Sequence, residues 1–446
     1  MAAAIAAARD AGGAPRFDVI GVERDNEQGS ARAAAMARGD FPFTSPDRLL
    51  NETIRIAHAE GNLGATTDPS AYKLANVVVV DVNLDVVEGE TGTHANMAGF
   101  EAAIRILGER LSAGALVMVE TTVPPGTCEN IVKPILRRAC IDRGLPEDGF
   151  LLAHSFERVM PGPGYLDSVI NFWRVYAGSD EKAADVCEAF LRKVINIGDY
   201  PLRRLNSMTA SETAKVLENS YRAANIAFIE EWSRFAEASG IDLFEVIEAV
   251  RDRPTHNNIR QPGFGVGGYC LTKDPLFPMA ASSAFLKDHA LSFPFSELSV
   301  AVNRRMPIVN LDRIENFLGG KLRGKRLMLM GVAYRSEVDD TRNAPAEAFY
   351  REARTRGAVL LCHDPFVRHW EELELDVAAT PPDPIDVDAV VFAVPHRAYR
   401  KMDVASWLRD VRPLIYDCDN VLSGETRSRL RAIGCRVEST GRGDGM

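Results

Sequence analysis

The stretch ANVVVVDV, residues 75–82, carries four consecutive valines between polar residues. Three similar short apolar runs lie in the first 180 residues, namely FDVIGVE (17–23), ALVMVETT (115–122) and FLLAHSFE (150–157), and longer amphipathic segments separate them. Alternation of short strands with helices is typical of βαβ units. The sequence therefore predicts an N-terminal α/β domain with a parallel sheet.

A long helical pattern follows between about residues 207 and 252, where Ala, Glu and Leu dominate and proline is absent. We expect one connecting helix there. Strand-like runs then return, separated by helical stretches, at KRLMLMGVAY (325–334), AVLLCHDPF (358–366), AVVFAVP (389–395) and PLIYDCD (413–419). The predicted fold class is α/β, with two Rossmann-like domains (1–200 and 306–446) joined by a central helical segment (201–305).

Length and composition exclude several classes of protein. The chain has 446 residues, which predicts two or three packed units. Charged residues make up 26% and hydrophobic residues 46%, as in ordinary globular enzymes. No apolar run approaches the roughly 18 residues of a membrane-spanning helix. The net charge of -10 comes without a basic block, so we expect neither a membrane nor a nucleic-acid partner.

The seven cysteines are widely spaced, odd in number and without a CxxC pair. This pattern predicts neither a disulfide framework nor a metal site, and it favours the reducing cytoplasm. Residues 1–8, MAAAIAAA, have no basic segment before them and an Arg-Asp pair soon after. We therefore interpret them as a helix and not as a signal peptide.

The loop GFGVGG, residues 263–268, matches the GxGxxG pattern of dinucleotide-binding turns. That turn must follow a hydrophobic strand, and the preceding RPTHNNIRQP does not form one. We expect instead a flexible or tightly turned active-site loop that lets backbone approach a ligand.

A better dinucleotide signal is Glu23, at the end of FDVIGVE. An acidic residue there is typical of ribose recognition and favours NAD over NADP, although a solvated strand end would look the same. Glu23 and its neighbour Arg24 are our candidate cofactor-binding residues. The expected first strand and glycine-rich turn do not precede them, so either the recorded start lies downstream of the true one or the protein lacks this turn.

Cys270 directly follows the glycine run, in GGYCLTKDP, with Lys273 and Asp274 close behind. A lone loop cysteine is more often structural than catalytic. A thiol beside a cation and a carboxylate is nevertheless a plausible activated nucleophile.

At this point the sequence resembles the nucleotide-sugar 6-dehydrogenases, the UDP-glucose, UDP-N-acetylmannosamine and GDP-mannose dehydrogenase family. Five segments match that family's motifs in order, covering the chain from about residue 17 to 420. They are ETTVPPGT (120–127), HSFERVMPG (154–162), SETAKVLENSYRAANIAFIEE (211–231), GFGVGGYCLTKDP (263–275) and GVAYRSEVDDTRNAP (331–345).

The resemblance implies a four-electron oxidation in which the primary alcohol of the sugar becomes a carboxylate and two NAD+ are reduced. Cys270 would add to the aldehyde as a thiohemiacetal, which loses a second hydride to become a thioester that water cleaves. Lys215 and Asn219, four apart on one helix face, would stabilise the oxyanion. Plain surface polarity is the alternative explanation of these two residues, and the motif around them favours the active site.

The resemblance also assigns the remaining candidate residues. Asp274 and Thr122 would position a water, and Glu157 would transfer protons during hydrolysis. The implied cofactor-binding residues are Glu23, Arg24, Thr122, Lys273 and Arg342. A solvated charge is the alternative interpretation of Lys273. The implied substrate-binding residues are Arg158, Asn219, Gly263, Gly265, Gly267, Gly268, Tyr334 and Arg335.

Three positions depart from the family pattern. Phe156 stands where proline is usual, and Arg335 stands where lysine is usual, which keeps the positive charge. Asp419 stands where arginine is usual, and a carboxylate there would repel a phosphate or a uronate product. The cysteine loop resembles the UDP-glucose enzymes, whereas the 154–162 and 338–345 segments resemble the UDP-N-acetylhexosamine enzymes, so the sugar stays open.

The first hypothesis is therefore an NAD-dependent UDP-sugar 6-dehydrogenase that takes a UDP-hexose or a UDP-N-acetylhexosamine and makes a uronic acid for polysaccharide pathways. A homodimer is expected because the family's central helices commonly pair, although the apolar residues of 221–237 would serve a buried intradomain face equally well. The alternatives are a non-catalytic nucleotide-sugar binding protein without productive NAD binding, and a simple alcohol dehydrogenase that stops at the aldehyde.

Overall fold

The computed structural model describes residues 1–43, 45–89, 92–160, 162–286 and 291–443, so Pro161 of the 154–162 motif lies outside the described residues. The strands in chain order are β1 (Val19–Val22), β2 (Leu63–Thr66), β3 (Val77–Val80), β4 (Val86–Gly89), β5 (Gly92–Ala95), β6 (Leu116–Val119), β7 (Leu151–His154), β8 (Val175–Gly178), β9 (Arg203–Arg204), β10 (Arg326–Met330), β11 (Val359–His363), β12 (His369–Trp370), β13 (Leu375–Asp376), β14 (Ala389–Phe392), β15 (Leu414–Asp417) and β16 (Val437–Ser439).

The helices carry most of the chain between these strands. In chain order they are α1 (Ala2–Ala7), α2 (Glu27–Met36), α3 (Arg48–Glu60), α4 (Ala98–Gly108), α5 (Lys133–Asp142), α6 (Tyr165–Ile170), α7 (Glu181–Val194), α8 (Met208–Ser239), α9 (Leu243–Arg251), α10 (Phe277–Phe285), α11 (Pro294–Phe317), α12 (Pro345–Thr355), α13 (Arg397–Arg400), α14 (Val404–Leu408) and α15 (Gly424–Ala432). Over the described ranges, no helix is both long and apolar enough to cross a membrane.

The chain forms two compact units, Met1–Glu218 with Leu276–Ser292, and Asn219–Pro275 with Phe293–Met446. In the first unit, β3, β6 and β7 pair in parallel, and β1 and β2 form a separate parallel pair. Four-residue β6 is wholly buried and lies between β3 and β7 in the strand order β3-β6-β7-β8-β9. The parallel βαβ pattern predicted from the sequence is present in these strands.

One strand of this sheet does not follow the prediction. β8 pairs with β7 in the antiparallel sense, so the N-terminal sheet is mixed. The helix between them, α6, has six residues and spans only about 9 Å, whereas four-residue β7 spans about 13 Å. The sequence analysis named no strand at residues 175–178, so β8 and its direction were not predicted.

The second unit contains a five-stranded sheet in the order β11-β10-β14-β15-β16, parallel throughout. The first strand in sequence, β10, lies inside the sheet, which is the doubly wound arrangement predicted for the C-terminal domain. Ligands of such sheets bind beyond the carboxyl ends of the strands. The segments that follow β10, β14 and β15 therefore occupy the edge where a ligand is expected.

The predicted helix of residues 207–252 is two helices. α8 ends at Ser239, Gly240 adopts a left-handed φ of 72°, and the Asp242 side chain caps α9 by accepting from the Phe244 amide. A glycine in this conformation ends a helix without the steric penalty of a Cβ atom. The sequence analysis missed this break because only one glycine and one capping aspartate mark it within a stretch of helical composition.

Candidate functional site

The edge of the first unit that would hold a dinucleotide begins at Glu23. Its amide donates to the Thr66 carbonyl oxygen at 2.9 Å, and its carboxylate lies 3.5 Å from the Arg32 guanidinium. The chain then turns so closely that a Cβ on Gly29 would lie 2.0 Å from the Arg24 carbonyl oxygen. An acidic strand end followed by a tightly packed helix start fits the adenosine half of NAD.

One guanidinium nitrogen of Arg24 lies 3.2 Å from where a Cβ on Gly99 would stand. Gly99 is in the first turn of α4, the helix that follows β5. The two predicted cofactor residues thus contact different helices, and Arg24 reaches α4 because that glycine leaves room.

The segment after β7 brings together Glu157, Arg158 and Lys215. The Lys215 ammonium donates to the Glu157 carbonyl oxygen at 2.7 Å and lies 3.9 Å from the Glu157 carboxylate. Arg158 forms a bidentate ion pair with Glu218. Glu157 and Lys215 are therefore neighbours, as the family roles require, whereas Arg158 already has a carboxylate partner.

Phe156 explains the departure from proline at this position. Its ring is fully buried, the Arg158 guanidinium lies 5.0 Å from the ring centre, and the Lys215 ammonium lies 5.6 Å from it. Cations over an aromatic face are stabilised by the ring quadrupole. The aromatic side chain thus places two cations, which a proline ring would not do.

The turn after β6 depends on Glu212, a residue that the sequence analysis did not single out. Its buried carboxylate accepts from the amides of Gly126 and Cys128, and burial raises the pKa of Glu212 to about 7. Thr122 lies half-buried in this turn. Because one side chain holds two of its amides, the turn that carries Thr122 is fixed. The sequence feature that could have identified Glu212 is the Ser-Glu pair that opens the 211–231 motif.

In the second unit, Cys270 is exposed while the other six cysteines are buried. Its carbonyl oxygen accepts from the Lys273 and Asp274 amides at 3.2 and 2.8 Å, which folds the loop into one tight turn. Burial raises the pKa of each of the other six thiols. Cys270 is therefore the accessible thiol of the part of the chain that the structure describes.

Asp274 is fully buried, and Asn219 and Lys273 are among the partners of its carboxylate. One carboxylate oxygen accepts from the Asn219 amide at 2.7 Å, and the other pairs with the Lys273 ammonium at 2.7 Å. The same ammonium lies 4.4 Å from the centre of the Tyr269 ring. The structure thus joins Asn219, Lys273 and Asp274 beside the Cys270 turn, three residues that the sequence analysis named separately.

The glycines of the 263–268 loop are packed by the protein's own side chains. Cβ atoms on Gly267 and Gly268 would lie 2.8 Å from Tyr334 atoms, and one on Gly265 would lie 2.8 Å from Pro345. The predicted tight turn is present in Gly268, whose φ is 79°. The glycines therefore serve first to seat Tyr334 and α12 against the loop, and only their backbone is left for a ligand.

A buried network fixes the segment that carries Tyr334 and Arg335. The Asp364 carboxylate accepts from the Val332 and Ala333 amides and lies 3.2 Å from His396 Nε2. Next to it, Arg342 is paired with Asp340 at 2.6 Å, and the Asp340 carbonyl oxygen accepts from the Tyr334 amide. Arg342, a predicted cofactor residue, thus has a local carboxylate partner.

Asp419 follows β15 and meets the glycine loop. A Cβ on Gly263 would lie 2.9 Å from its carboxylate oxygen. Burial of the carboxyl group, with a smaller contribution from the nearby Asp417 carboxylate, raises the pKa of Asp419 to about 8, although Arg400 opposes the shift. The carboxyl group is mostly neutral at pH 7, so it does not present the full negative charge that we expected from the sequence.

Comparison with known proteins shows to which family the chain belongs. Three models of one family match the chain in order: the UDP-glucose/GDP-mannose dehydrogenase family NAD binding domain at residues 4–195, its central domain at 209–305 and its UDP binding domain at 328–424. The chain belongs to this family. It is a nucleotide-sugar dehydrogenase with NAD as its cofactor, and the non-catalytic alternative is not supported.

Individual relatives support the same family assignment. The chain is 29% identical to the UDP-N-acetyl-D-mannosamine dehydrogenase of Pyrococcus horikoshii, over 89% of this chain and 88% of that protein. The solved structure of the UDP-D-ManNAc dehydrogenase from the same organism superposes with a TM-score of 0.82 at 26% identity, covering 99% of this chain and 96% of the other. The NDP-N-acetyl-D-galactosaminuronic acid dehydrogenase from Methanosarcina mazei Go1 gives 0.80 at 26% identity, covering 100% and 93%.

Proposed function

We propose that this enzyme oxidises the C6 alcohol of a UDP-N-acetylhexosamine to the carboxylate. The 154–162 and 338–345 motifs and the names of the relatives support an N-acetylated sugar over glucose. The observation that carries the four-electron chemistry is the exposed Cys270 on a turn beside the Asn219, Lys273 and Asp274 cluster. An enzyme that stopped at the aldehyde would need no nucleophile there.

The overall reaction consumes one water and two NAD+ and releases the carboxylate, two NADH and three protons. NAD, when bound, accepts the hydrides, and Glu23 and Arg24 are the residues that we propose to hold its adenosine half. The Cys270 sulfur adds to the C6 aldehyde and later leaves as the thiol when water cleaves the thioester. Covalent capture of the aldehyde also prevents its escape between the two oxidations.

The remaining residues orient groups and move protons in this proposal. Asp274 is held by Asn219 and Lys273, so its carboxylate is fixed in place to orient the hydrolytic water. Glu157 lies next to Lys215 and has the proton-transfer role in the hydrolysis. Lys215 and Asn219, one turn apart on α8, supply the positive charge and the amide that stabilise the oxyanion. Tyr334 and Arg335 bind the nucleotide sugar, and Gly263, Gly265, Gly267 and Gly268 contribute backbone.

We also propose a cytoplasmic homodimer. Phe228, Trp232 and Phe235 form a stripe of edge-to-face rings on α8, with 53%, 46% and 57% of their surfaces exposed. Three large aromatic side chains on one exposed helix face are typical of a protein contact. A second copy of the same helix is the partner that the family's central domain favours.

The test is the number of NADH formed per sugar, with UDP-N-acetylmannosamine, UDP-N-acetylgalactosamine and UDP-glucose each limiting. We expect about two NADH and one carboxylate per sugar with an N-acetylated substrate. In the Cys270→Ser variant we expect carboxylate formation to fall at least 100-fold, and the exposed position leaves stability unchanged. One NADH per sugar, or undiminished acid formation by the variant, would refute the thioester route.

A further inference from the structure

The helical segment that follows the turn after β6 has no capping side chain of its own. Cys128–Val132 forms one π-helical turn that continues into α5, and its N-cap residue, Thr127, makes no side-chain capping hydrogen bond. The Thr127 hydroxyl donates instead to the Pro124 carbonyl oxygen at 2.6 Å. The first amides of a helix have no partner within the helix and need acceptors when they are buried. This helix therefore needs an acceptor from another part of the chain.

Glu212 supplies that acceptor from 84 residues away in sequence. Its carboxylate accepts from the Cys128 amide at 2.8 Å and from the Gly126 amide at 2.5 Å, and only 1% of the Glu212 surface is exposed. A carboxylate at a helix N-terminus is stabilised by the helix dipole and forms charge-assisted hydrogen bonds. Glu212 thus caps a helix to which it is not adjacent in the chain.

The residue before Glu212 ties the same part of α8 to the neighbouring strand. The Ser211 hydroxyl lies 2.8 Å from Nδ1 of His154, the last residue of β7, and both residues are fully buried. Desolvation lowers the pKa of His154 to about 3, so the ring stays neutral. The start of α8 is therefore anchored on β7 through Ser211 while the Glu212 carboxylate holds the turn after β6.

Lys215 extends this arrangement along the helix. It follows Glu212 by three residues and so lies on the same side of α8. Its ammonium donates to the Glu157 carbonyl oxygen at 2.7 Å, in the segment after β7. β6 and β7 are parallel neighbours, so both segments leave the carboxyl edge of the sheet, where ligands of such sheets bind. One helix thus holds two of the segments that form this edge of the NAD-binding domain.

We propose that Glu212 is a positioning residue for the cofactor, because it holds the turn that carries Thr122 in the place where that turn contacts bound NAD. Glu212 does not touch the cofactor in this proposal and acts through the Gly126 and Cys128 amides. Without their acceptor these buried amides are left unpaired, and the turn leaves this position to reach water. The proposal rests on the NAD-dependent reaction of the proposed function and on Thr122 as one of its predicted cofactor-binding residues.

The test is the dissociation constant of NADH, measured by its fluorescence without any sugar. Glu212→Gln keeps the shape of the side chain and one acceptor oxygen, but its amino group faces a backbone N–H from which it cannot accept. We expect this variant to bind NADH about tenfold more weakly, because one buried amide has lost its partner. In steady-state kinetics the Michaelis constant for NAD should rise by a similar factor, while that for the nucleotide sugar stays unchanged.

Hydrogen exchange followed by mass spectrometry locates the effect in the chain. In Glu212→Gln, the peptide that spans residues 120–132 should exchange about one or two more amides at short times than in the parent chain, those of Gly126 and Cys128. In the unaltered protein, NADH should slow the exchange of the same peptide. This second measurement needs no variant to fold.

The matched control is Glu129→Gln, which removes the same charge one residue after Cys128. Glu129 is partly exposed and pairs with Lys133 at 3.0 Å, one helical turn away. We expect this variant to match the parent chain in NADH affinity and in the exchange of the 120–132 peptide. A misfolded fraction of either variant lowers the number of NADH sites and kcat but not the affinity, so misfolding does not imitate the expected result.

An unchanged NADH dissociation constant in Glu212→Gln would overturn the proposal, as would an equal weakening in Glu129→Gln. So would an exchange rate of the 120–132 peptide that NADH does not change. The binding and exchange measurements require no sugar and no turnover. A failure of the proposed thioester chemistry would therefore appear separately, as undiminished acid formation by Cys270→Ser.

Discussion

Replacing Asp419 by asparagine tests how the second unit accommodates a carboxyl group at the end of β15. The carboxyl lies against the Gly263 backbone, and its desolvation, with a smaller contribution from the negative charge of Asp417, raises the pKa of Asp419 from 3.8 to about 8. The folded chain therefore retains a proton that the unfolded chain loses at lower pH. Stability should fall as pH rises from about 4 to about 8, because ionising the carboxyl opposes folding.

The magnitude follows from the same shift. A rise from 3.8 to about 8 corresponds to about 6 kcal/mol at 1.36 kcal/mol per pH unit. The residue is only half-buried, so water and side-chain movement reduce this figure, and we expect about 2–3 kcal/mol. Asparagine has the same shape and no charge, and the variant should therefore gain this amount over the parent chain between pH 4 and pH 9.

The assay is denaturant unfolding of both proteins at pH 4, 6 and 9, compared at each pH so that the other titrating groups cancel. The free energies of unfolding of the two proteins should differ least at pH 4, and the variant should be the more stable at pH 9. The Michaelis constant for the nucleotide sugar should also rise above pH 8 in the parent chain only, as the carboxylate forms near the glycine loop. Parallel stability profiles for the two proteins would refute this account of Asp419.

Three further changes have defined outcomes. Glu120→Gln should cost about 3–5 kcal/mol of unfolding free energy, measured by urea denaturation, because it leaves the buried Arg174 without its ion-pair partner; a loss below 1 kcal/mol would contradict this. Gly268→Ala should lower kcat/KM at least tenfold, because the new Cβ meets the Tyr334 ring at a left-handed φ of 79°; steady-state kinetics that match the parent chain would show that the loop yields. Trp232→Glu should convert the proposed dimer to a monomer in analytical ultracentrifugation, and a monomeric parent chain would contradict the dimer.

The sequence predicted the elements whose periodicity is local. β3, β6 and β7 coincide with the apolar runs at 75–82, 115–122 and 150–157, and β10, β14 and β15 with the C-terminal runs. Their apolar side chains are buried whichever neighbours they acquire, so composition alone identifies them. β8 is not among the predicted runs, and its antiparallel direction depends on the path of the chain between β7 and β8, which no local pattern shows.

The candidate site residues divide in the same way, into those that a contiguous motif identifies and those that only the fold brings together. Cys270, Asn219 and Asp274 were found because their motifs are contiguous, and the structure adds that Asn219 and Asp274 are hydrogen bonded. Glu212 was missed because the amides that it holds, those of Gly126 and Cys128, are 86 and 84 residues away in sequence. Its role is visible only when these amides are located in space.

The glycine loop shows how one pattern serves two different purposes. GxGxxG after a strand leaves room for a pyrophosphate, because glycines allow backbone to approach a ligand. Here the same spacing leaves room for Tyr334 and Pro345, whose atoms lie 2.7 to 2.8 Å from the absent Cβ positions of Gly265, Gly267 and Gly268. Those side chains belong to the segment after β10 and to α12, at the ligand edge of the parallel sheet. The loop therefore joins Cys270 to the nucleotide-binding edge, and any side chain placed on it would separate them.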